Sequence, residues 1–168
     1  MTIYALSTGA GISGVAVIRV SGKNTAEVIK RLTGSKLPVP RMATLKKFNK
    51  NGVKELIDEG VIIWFPGPNS YTGEDLAEFH VHGSRAVIKA MHDAISKIRN
   101  CRLAEPGEFT KRAFQNGRIN LLKAESIADL ISSETEMQRK QALKIMSGKS
   151  ADKFNSWRDK LLKILSHI

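Results

Sequence analysis

The sequence has one cysteine, Cys101, and no apolar run that approaches the roughly 18 residues a membrane-spanning helix needs. A single cysteine excludes an internal disulfide and fits a reducing compartment, and Cys101 is expected to act as a small buried apolar group. The first residues also lack the basic segment and the apolar core of a secretory signal. These absences predict a soluble, cytoplasmic protein without membrane contact.

Acidic residues are few, and many of them fall in one block. The formal net charge is +11. Residues 22–54 carry nine Lys/Arg and one Glu, residues 55–82 carry six Asp/Glu and no Lys/Arg, and residues 138–168 carry eight Lys/Arg and two Asp. The positive charge suggests contact with RNA, but solvated lysines explain it equally well. A generic basic groove would not contain the acidic block, so charge alone assigns no function.

The hydrophobic pattern predicts an α/β domain over residues 1–118, followed by two long helices over residues 119–168. A hydrophobic fraction of 42% is enough to bury a core. Residues 120–146 contain neither Gly nor Pro, and Ser147-Gly148 then interrupts the helical pattern. Strands are predicted at 2–6, 13–20, 60–65 and 76–82, a basic edge-like segment at 42–48, a loop at 66–75, and helices at 24–32, 84–98 and 106–114.

Two short motifs match parts of nucleotide-binding loops but stand in the wrong context. Gly9-Ala10-Gly11-Ile12-Ser13-Gly14 fits GxGxxG, yet a strand rather than a helix follows it, which favours a tight turn between two strands. Gly148-Lys149-Ser150 fits the end of a phosphate-binding P-loop, but Leu143 stands where the first glycine of that loop is required. We therefore expect no nucleotide site at either position.

The most specific signal is the loop Phe65-Pro66-Gly67-Pro68-Asn69-Ser70-Tyr71-Thr72-Gly73-Glu74-Asp75, with Glu78 and His82-Gly83 after it. It resembles the signature of the tRNA modification GTPase family MnmE, also called TrmE. Three further segments resemble the same family in the same order: GVAVIRVSG at 14–22, AEPGEFTKRAFQN at 104–116 and LLKAESIADLI at 121–131. The resemblance extends over essentially all 168 residues.

This resemblance implies both a fold and a function. The family's N-terminal domain resembles the tetrahydrofolate-binding domain of aminomethyltransferases, dimerises, and binds formyl- or methylene-tetrahydrofolate. With the flavoprotein MnmG, the full-length protein modifies the wobble uridine of tRNA. Its GTPase domain, which is inserted in the helical domain, hydrolyses GTP with magnesium and potassium. Residues 1–118 would then be the folate-binding and dimerisation domain, and residues 119–168 the start of the helical domain.

The sequence contains neither a GTPase motif nor the family's C-terminal cysteine motif, so this chain by itself is not expected to hydrolyse GTP. Apolar side chains recur along its last predicted helix at alternating spacings of three and four. These residues, which we call the seam, are Phe154, Trp157, Leu161, Ile164 and Ile168. Such a stripe normally packs on a partner helix, which predicts a truncated helical domain whose seam can self-associate.

Three positions match the family's folate contacts: Arg19, Glu78 and Arg118. The carboxylate of Glu78 would accept the paired N–H donors of a pterin ring, and cations suit the carboxylates of the folate tail. The family more often has Lys at the position of Arg118, so the charge is kept there but the geometry differs. The pocket lining is expected to include Asn69, Ser70, Tyr71 and Thr72.

Each assignment has an alternative without a ligand. Arg19 and Glu78 could form a structural ion pair, and Arg118 could be a surface cation. His80 and His82 share one face of a strand, but only Glu78 joins them locally, so a metal site is not expected. Two other functions stay open: a basic helical RNA-binding or scaffold fragment with a vestigial folate pocket, and a free-standing one-carbon transferase, for which we find no acid/base arrangement.

Overall fold

The computed structural model of the protein describes residues 1–9, 11–50, 53 and 55–166, without the side chains of residues 149–153 and 155. The chain divides into two compact units, Met1–Ala113 and Phe114–Ile168. The strands of the first unit are β1 (Thr2–Leu6), β2 (Ser13–Ser21), β3 (Thr44–Asn49), β4 (Leu56–Phe65), β5 (Leu76–Gly83) and β6 (Cys101–Leu103). The helices are α1 (Thr25–Thr33), α2 (Arg85–Ser96), α3 (Glu108–Gln115), α4 (Leu121–Ile131), α5 (Glu136–Met146) and α6 (Lys149–Leu165).

The six strands form one sheet in the order β3-β4-β5-β2-β1-β6. Neighbouring strands are antiparallel except for the parallel pair β1 and β6. The predicted strands are all present, and the basic segment at 42–48 does supply an edge strand, β3. Two details differ from prediction. Strand β6 is absent from the prediction because its three residues are too few to show an alternating pattern. Strand β4 begins at Leu56, earlier than predicted, because pairing with β3 overrides the weak strand propensity of Asp58, Glu59 and Gly60.

One face of the sheet is buried under α1 and α2, and the other carries polar groups. Alternate residues of the central strands, among them Ile18, Ile62 and Phe79, are fully buried in the core with these two helices. The helices contribute Val28, Ile29, Leu32, Met91 and Ile95 to that core. Because successive side chains of a strand point to opposite faces, Arg19 and Glu78 lie on the face away from α1 and α2.

Strands β4 and β5 approach each other closely at Gly60. A Cβ atom at this position would lie 2.1 Å from the backbone oxygen of His80. Only glycine fits there without moving one of the two strands. The close approach therefore fixes the backbone of β5 beside Glu78 and His80.

In the described part of the chain, three helices follow Arg118 where two were predicted, so the prediction of a single helix over residues 120–146 is wrong. Helix α4 ends at Ile131, and the hydroxyl of Ser132 then donates to the carbonyl of Ala128. Thr135 begins α5 with a capping box that it forms with Gln138. Serine and threonine hydroxyls compete with the helical hydrogen-bond pattern, and this ends one helix and begins the next without Gly or Pro.

The interruption predicted at Ser147-Gly148 is confirmed, since Gly148 has a φ of 86° and precedes α6. The described seam residues Phe154, Trp157, Leu161 and Ile164 are all exposed, and Ile168 lies outside the described residues. Within the described residues, no helix has the length and apolar character needed to cross a membrane.

Candidate functional site

Arg19 and Glu78 face each other directly across β2 and β5. The Nε and Nη2 atoms of Arg19 donate to the same carboxylate oxygen, Glu78 Oε1, at 3.0 and 2.7 Å. Only 27% of the Arg19 side chain and 19% of the Glu78 side chain are exposed. The two residues that the family resemblance assigned to one site are thus in contact, and the alternative ion pair is also present. The second carboxylate oxygen, Oε2, accepts no hydrogen bond from the described part of the chain.

Two aromatic rings accompany this ion pair. The guanidinium carbon of Arg19 lies 5.5 Å from the ring centre of Tyr71 and 5.6 Å from that of Phe109. Both distances fall within the range of cation–π contact. The hydroxyls of Tyr71 and Thr110 are 2.9 Å apart, which connects the loop between β4 and β5 to α3. The loop and α3 therefore place two aromatic rings, those of Tyr71 and Phe109, beside the Arg19–Glu78 ion pair on the sheet.

A second set of polar contacts anchors the same loop to β2 and α3. The Ser21 hydroxyl donates to the Glu74 carboxylate at 2.9 Å and lies 2.7 Å from the Thr72 hydroxyl. Arg112 of α3 donates to the same Glu74 oxygen at 2.9 Å. The side chain of Arg112 is only 14% exposed, so this contact holds α3 on the sheet in a setting with little water.

Glu108 extends these contacts from α3 to β6. It is 8% exposed, accepts two hydrogen bonds from Arg102 at 2.7 and 2.8 Å, and accepts one from Arg112 at 3.1 Å. The backbone N–H of Glu105 adds a fourth donor at 2.9 Å. These donors, chiefly the guanidinium of Arg102, lower the pKa of Glu108 to about 2. The segment AEPGEF is thereby held to the sheet by an ionised carboxylate.

The histidines of β5 have different environments. Asp58 Oδ1 lies 2.8 Å from Nδ1 of the exposed His82, and Asp58 Oδ2 accepts the His82 backbone N–H at 2.7 Å. Burial acts to raise the pKa of Asp58, but the hydrogen bonds from His82 outweigh it and hold that pKa below its usual value. The Nε2 atom of His80 is buried, and no described residue forms a hydrogen bond with it. Among the described residues, no group of three His, Cys, Asp or Glu side chains is arranged to hold a metal ion.

Most carboxylates of the acidic block, residues 55–82, form hydrogen bonds or ion pairs within the first unit. Asp58 holds His82, Glu74 holds Ser21 and Arg112, and Glu78 holds Arg19. In the same block, Asp75 accepts the backbone N–H of Gly67 at 2.9 Å, and Glu55 pairs with Lys50. The block therefore builds the polar face and its loop.

A groove of about 590 Å³ lies elsewhere in the first unit, between β1 and α2. Its lining includes Tyr4 and His92, whose rings meet edge to face with centres 5.5 Å apart. Burial raises the pKa of Tyr4 and lowers that of His92. None of the predicted site residues lines this groove.

The remaining predicted site residues have varied surroundings. Ser70 and Thr72 are buried, with hydroxyls that contact Glu74 and Ser21, so both help to shape the loop. Asn69 is exposed, and its carbonyl accepts a hydrogen bond from Arg41. Arg118 is exposed between α3 and α4 and belongs to the second unit. Ligand contact by these residues stays a prediction.

Sequence reasoning missed several residues around the ion pair. Phe109, Arg112 and Glu108 lie in the AEPGEFTKRAFQN segment, where the alternation of charged and aromatic residues on a short helix was the available signal. The sequence marks His80 only as one of two histidines on the same strand face, which suggests a metal ligand and not a contact of the ion pair. Cys101 is half-buried against the core rather than fully buried, because β6 is an edge strand, and burial raises the pKa of its thiol.

Comparison with known families covers nearly the whole chain. Residues 2–118 match the family model described as "GTP-binding protein TrmE N-terminus". Residues 121–168 match the model described as "MnmE helical domain".

Three relatives extend this result. This chain is 74% identical to the tRNA modification GTPase MnmE of Pelagibacter ubique (strain HTCC1062) over 168 residues, which are 100% of this chain and 38% of that protein. It is 50% identical to the protein of the same name from Maricaulis maris (strain MCS10) over 99% of this chain and 38% of that protein. It is 49% identical to the mitochondrial 5-taurinomethyluridine-[tRNA] synthase subunit GTPB3 of Danio rerio over 99% of this chain and 33% of that protein.

The chain spans between 33% and 38% of the length of these curated relatives. Two consecutive family models nevertheless account for almost all of its residues, in the order in which the family carries them. The chain therefore belongs to the MnmE (TrmE) family of tRNA modification GTPases and corresponds to the family's N-terminal domain and helical-domain sequence.

Proposed function

We propose that this chain binds a reduced folate at the Arg19–Glu78 site, as the folate-binding and dimerising part of a GTPase that modifies the wobble uridine of tRNA. The observation that carries the proposal is the state of the Glu78 carboxylate. One oxygen is held by Arg19, while Oε2 accepts no hydrogen bond from the described residues. A carboxylate oxygen of this kind, on a side chain that is 19% exposed, is suited to N–H donors from a ligand.

The chemistry of a pterin fits these groups. Its amino group and neighbouring ring N–H present two donors on one edge, and a carboxylate oxygen has two acceptor positions. The rings of Tyr71 and Phe109 offer flat apolar surfaces for a flat heterocycle. Formyl- and methylene-tetrahydrofolate share this pterin edge, and both are proposed as ligands. The bound folate would supply the one-carbon unit.

The carboxylates of the folate tail need cations, for which we propose Arg118. This side chain is exposed, and no ion pair of Arg118 is present among the described residues. We likewise propose, on the basis of family membership, that the full-length protein acts with MnmG in modifying tRNA and hydrolyses GTP with magnesium and potassium.

Isothermal titration of the full chain with 5-formyl-tetrahydrofolate tests the folate proposal. We expect saturable binding with one ligand per chain. A parallel titration with tRNA tests the alternative, in which the basic residues of the helical segment bind RNA and the folate pocket is vestigial. Tight tRNA binding without folate binding would reject the proposal and favour that alternative.

We further propose that the chain forms a homodimer through its α/β unit, and that the exposed seam adds only higher-order association. Burying a large apolar side chain contributes roughly 1.5–3 kcal/mol, so seam contacts can form at high concentration. Leu161→Glu should therefore abolish the larger species and leave the dimer intact in sedimentation velocity over a concentration series.

Ser156→Glu is the matched control for that experiment, because it adds the same charge to an exposed position of α6 outside the seam. It should leave both the dimer and the larger species unchanged. If Leu161→Glu instead converts the dimer to a monomer, the helices hold the assembly together and the proposed α/β dimer is wrong.

A further inference from the structure

We propose that His80 is a ligand-binding residue of the same site, whose Nε2 atom hydrogen-bonds the polar edge of the pterin ring beside the group held by Glu78. This inference rests on the folate-binding function proposed above. It adds a residue that neither the motif nor the ion pair assigns, and it concerns recognition of the ring rather than of the folate tail.

The position of His80 places it in the site. It lies two residues after Glu78 on β5, so both side chains emerge on the face away from α1 and α2. Its β2 neighbour is Val17, and its β4 neighbour is Val61. Both are apolar, and the close approach at Gly60 fixes the backbone around it. Neither valine side chain can supply a hydrogen bond to the imidazole ring.

The Nε2 atom of His80 is buried and has no hydrogen-bond partner among the described residues. Glu78 Oε2 lies 3.7 Å from this atom, which is too far for a hydrogen bond. A buried polar atom without a partner costs free energy, and native structures seldom retain one without a function. The His80 side chain as a whole is 30% exposed although its Nε2 atom is buried, so a hydrogen bond to a ligand on the polar face requires the ring to turn about its side-chain bonds.

The pair of atoms also indicates the chemistry of the ligand. Glu78 Oε2 is an acceptor, and the imidazole Nε2 is either a donor or an acceptor according to its tautomer. Together they can meet two neighbouring polar atoms on one edge of a flat heterocycle. A reduced pterin carries such an edge, whereas the aminobenzoyl-glutamate tail does not. His80 should therefore contribute equally to binding of whole folate and of the isolated pterin.

Two substitutions separate the hydrogen bond from the shape of the side chain. His80→Phe keeps a planar ring but removes the nitrogen, and it should weaken binding of 5-formyl-tetrahydrofolate by about tenfold or more, the usual loss for one hydrogen bond. His80→Gln places an amide near the position of Nε2 and should retain affinity within about threefold. The same pattern is expected with 6-methyltetrahydropterin, which has no tail.

The protein supplies its own control in His92. Its Nε2 is also buried and has no hydrogen-bond partner in the described part of the chain, but His92 lines the groove between β1 and α2. His92→Phe should leave folate affinity unchanged. Nitrogen NMR of the parent chain gives a measurement that needs no substitution, because the Nε2 resonance of His80 should shift when the pterin is added and that of His92 should not.

The outcomes distinguish this inference from the proposal beneath it. If the parent chain binds no tetrahydrofolate, the folate function fails and the role of His80 fails with it. If the parent binds and His80→Phe does not change the affinity, folate binding stands and His80 is not a contact. If His80→Phe does not fold, the NMR measurement on the parent decides instead, and an unshifted Nε2 resonance of His80 rejects the contact. Loss with Phe and recovery with Gln supports the inference.

Discussion

Replacement of Glu78 by alanine is expected to weaken binding of 5-formyl-tetrahydrofolate by about 30-fold or more, which corresponds to about 2 kcal/mol. The substitution removes the carboxylate oxygen proposed to accept the pterin donors. It also leaves the guanidinium of Arg19, which is 27% exposed, without its partner. Isothermal titration of parent and variant measures the change in dissociation constant directly.

The two effects of this substitution can be separated. In the double variant Arg19→Leu/Glu78→Ala no unpaired guanidinium remains, so stability should partly recover while folate affinity stays low. Glu27→Ala is a matched control, since Glu27 forms an exposed ion pair with Arg31 on α1 at 2.6 Å. It should leave affinity unchanged. Equal affinity of the Glu78→Ala variant and the parent would remove Glu78 from the ligand site and leave the ion pair as purely structural.

Local patterns in the sequence were sufficient to predict most of the first unit. Period-two alternation located the strand around Phe79, period 3.6 located α2, and the Pro- and Gly-rich run at 66–75 located the loop. These signals depend on residues close together in the chain. The sequence pattern did not predict the break between α4 and α5, because a serine pair and a capping threonine mark it rather than Gly or Pro.

The contacts of the site depend instead on which distant residues the topology brings together. Arg19 and Glu78 are 59 positions apart, and their pairing follows from the register of β2 on β5. Sequence reasoning could state both an ion pair and a ligand site but could not decide between them. Residues of α3, such as Phe109, reach the same face only because that helix folds back onto the sheet.

A second large effect is expected at Glu108, where loss of the carboxylate should destabilise the α/β unit. Its folded-state pKa is about 2, against an ordinary value of 4.5, because Arg102 and other donors favour the ionised form. The stabilisation is therefore fully present above about pH 4.5 and is lost as the pH falls towards 2. This lowering of the pKa corresponds to roughly 3 kcal/mol. Glu108→Gln should lower the free energy of unfolding by about that amount at pH 7.

The pH dependence distinguishes this explanation from a simple packing defect. The difference in unfolding free energy between parent and Glu108→Gln should be largest near neutral pH and shrink as the pH falls from 4.5 to 2, because the parent then protonates the same carboxyl. Other carboxylates titrate equally in both proteins and cancel in the difference. A packing defect would give a difference that does not change with pH.

Urea unfolding monitored by tryptophan fluorescence can make this measurement in the α/β unit alone. The chain has two tryptophans, of which Trp64 is buried in β4 and Trp157 lies in α6. In a Trp157→Phe background, the signal reports Trp64 and hence the unit that contains Glu108. Glu27→Gln is the control, because Glu27 belongs to the same unit and its ion pair with Arg31 is exposed and should contribute little. A Glu108→Gln variant as stable as this control at pH 7 would show that the contacts of Glu108 with Arg102 and Arg112 do not stabilise the fold.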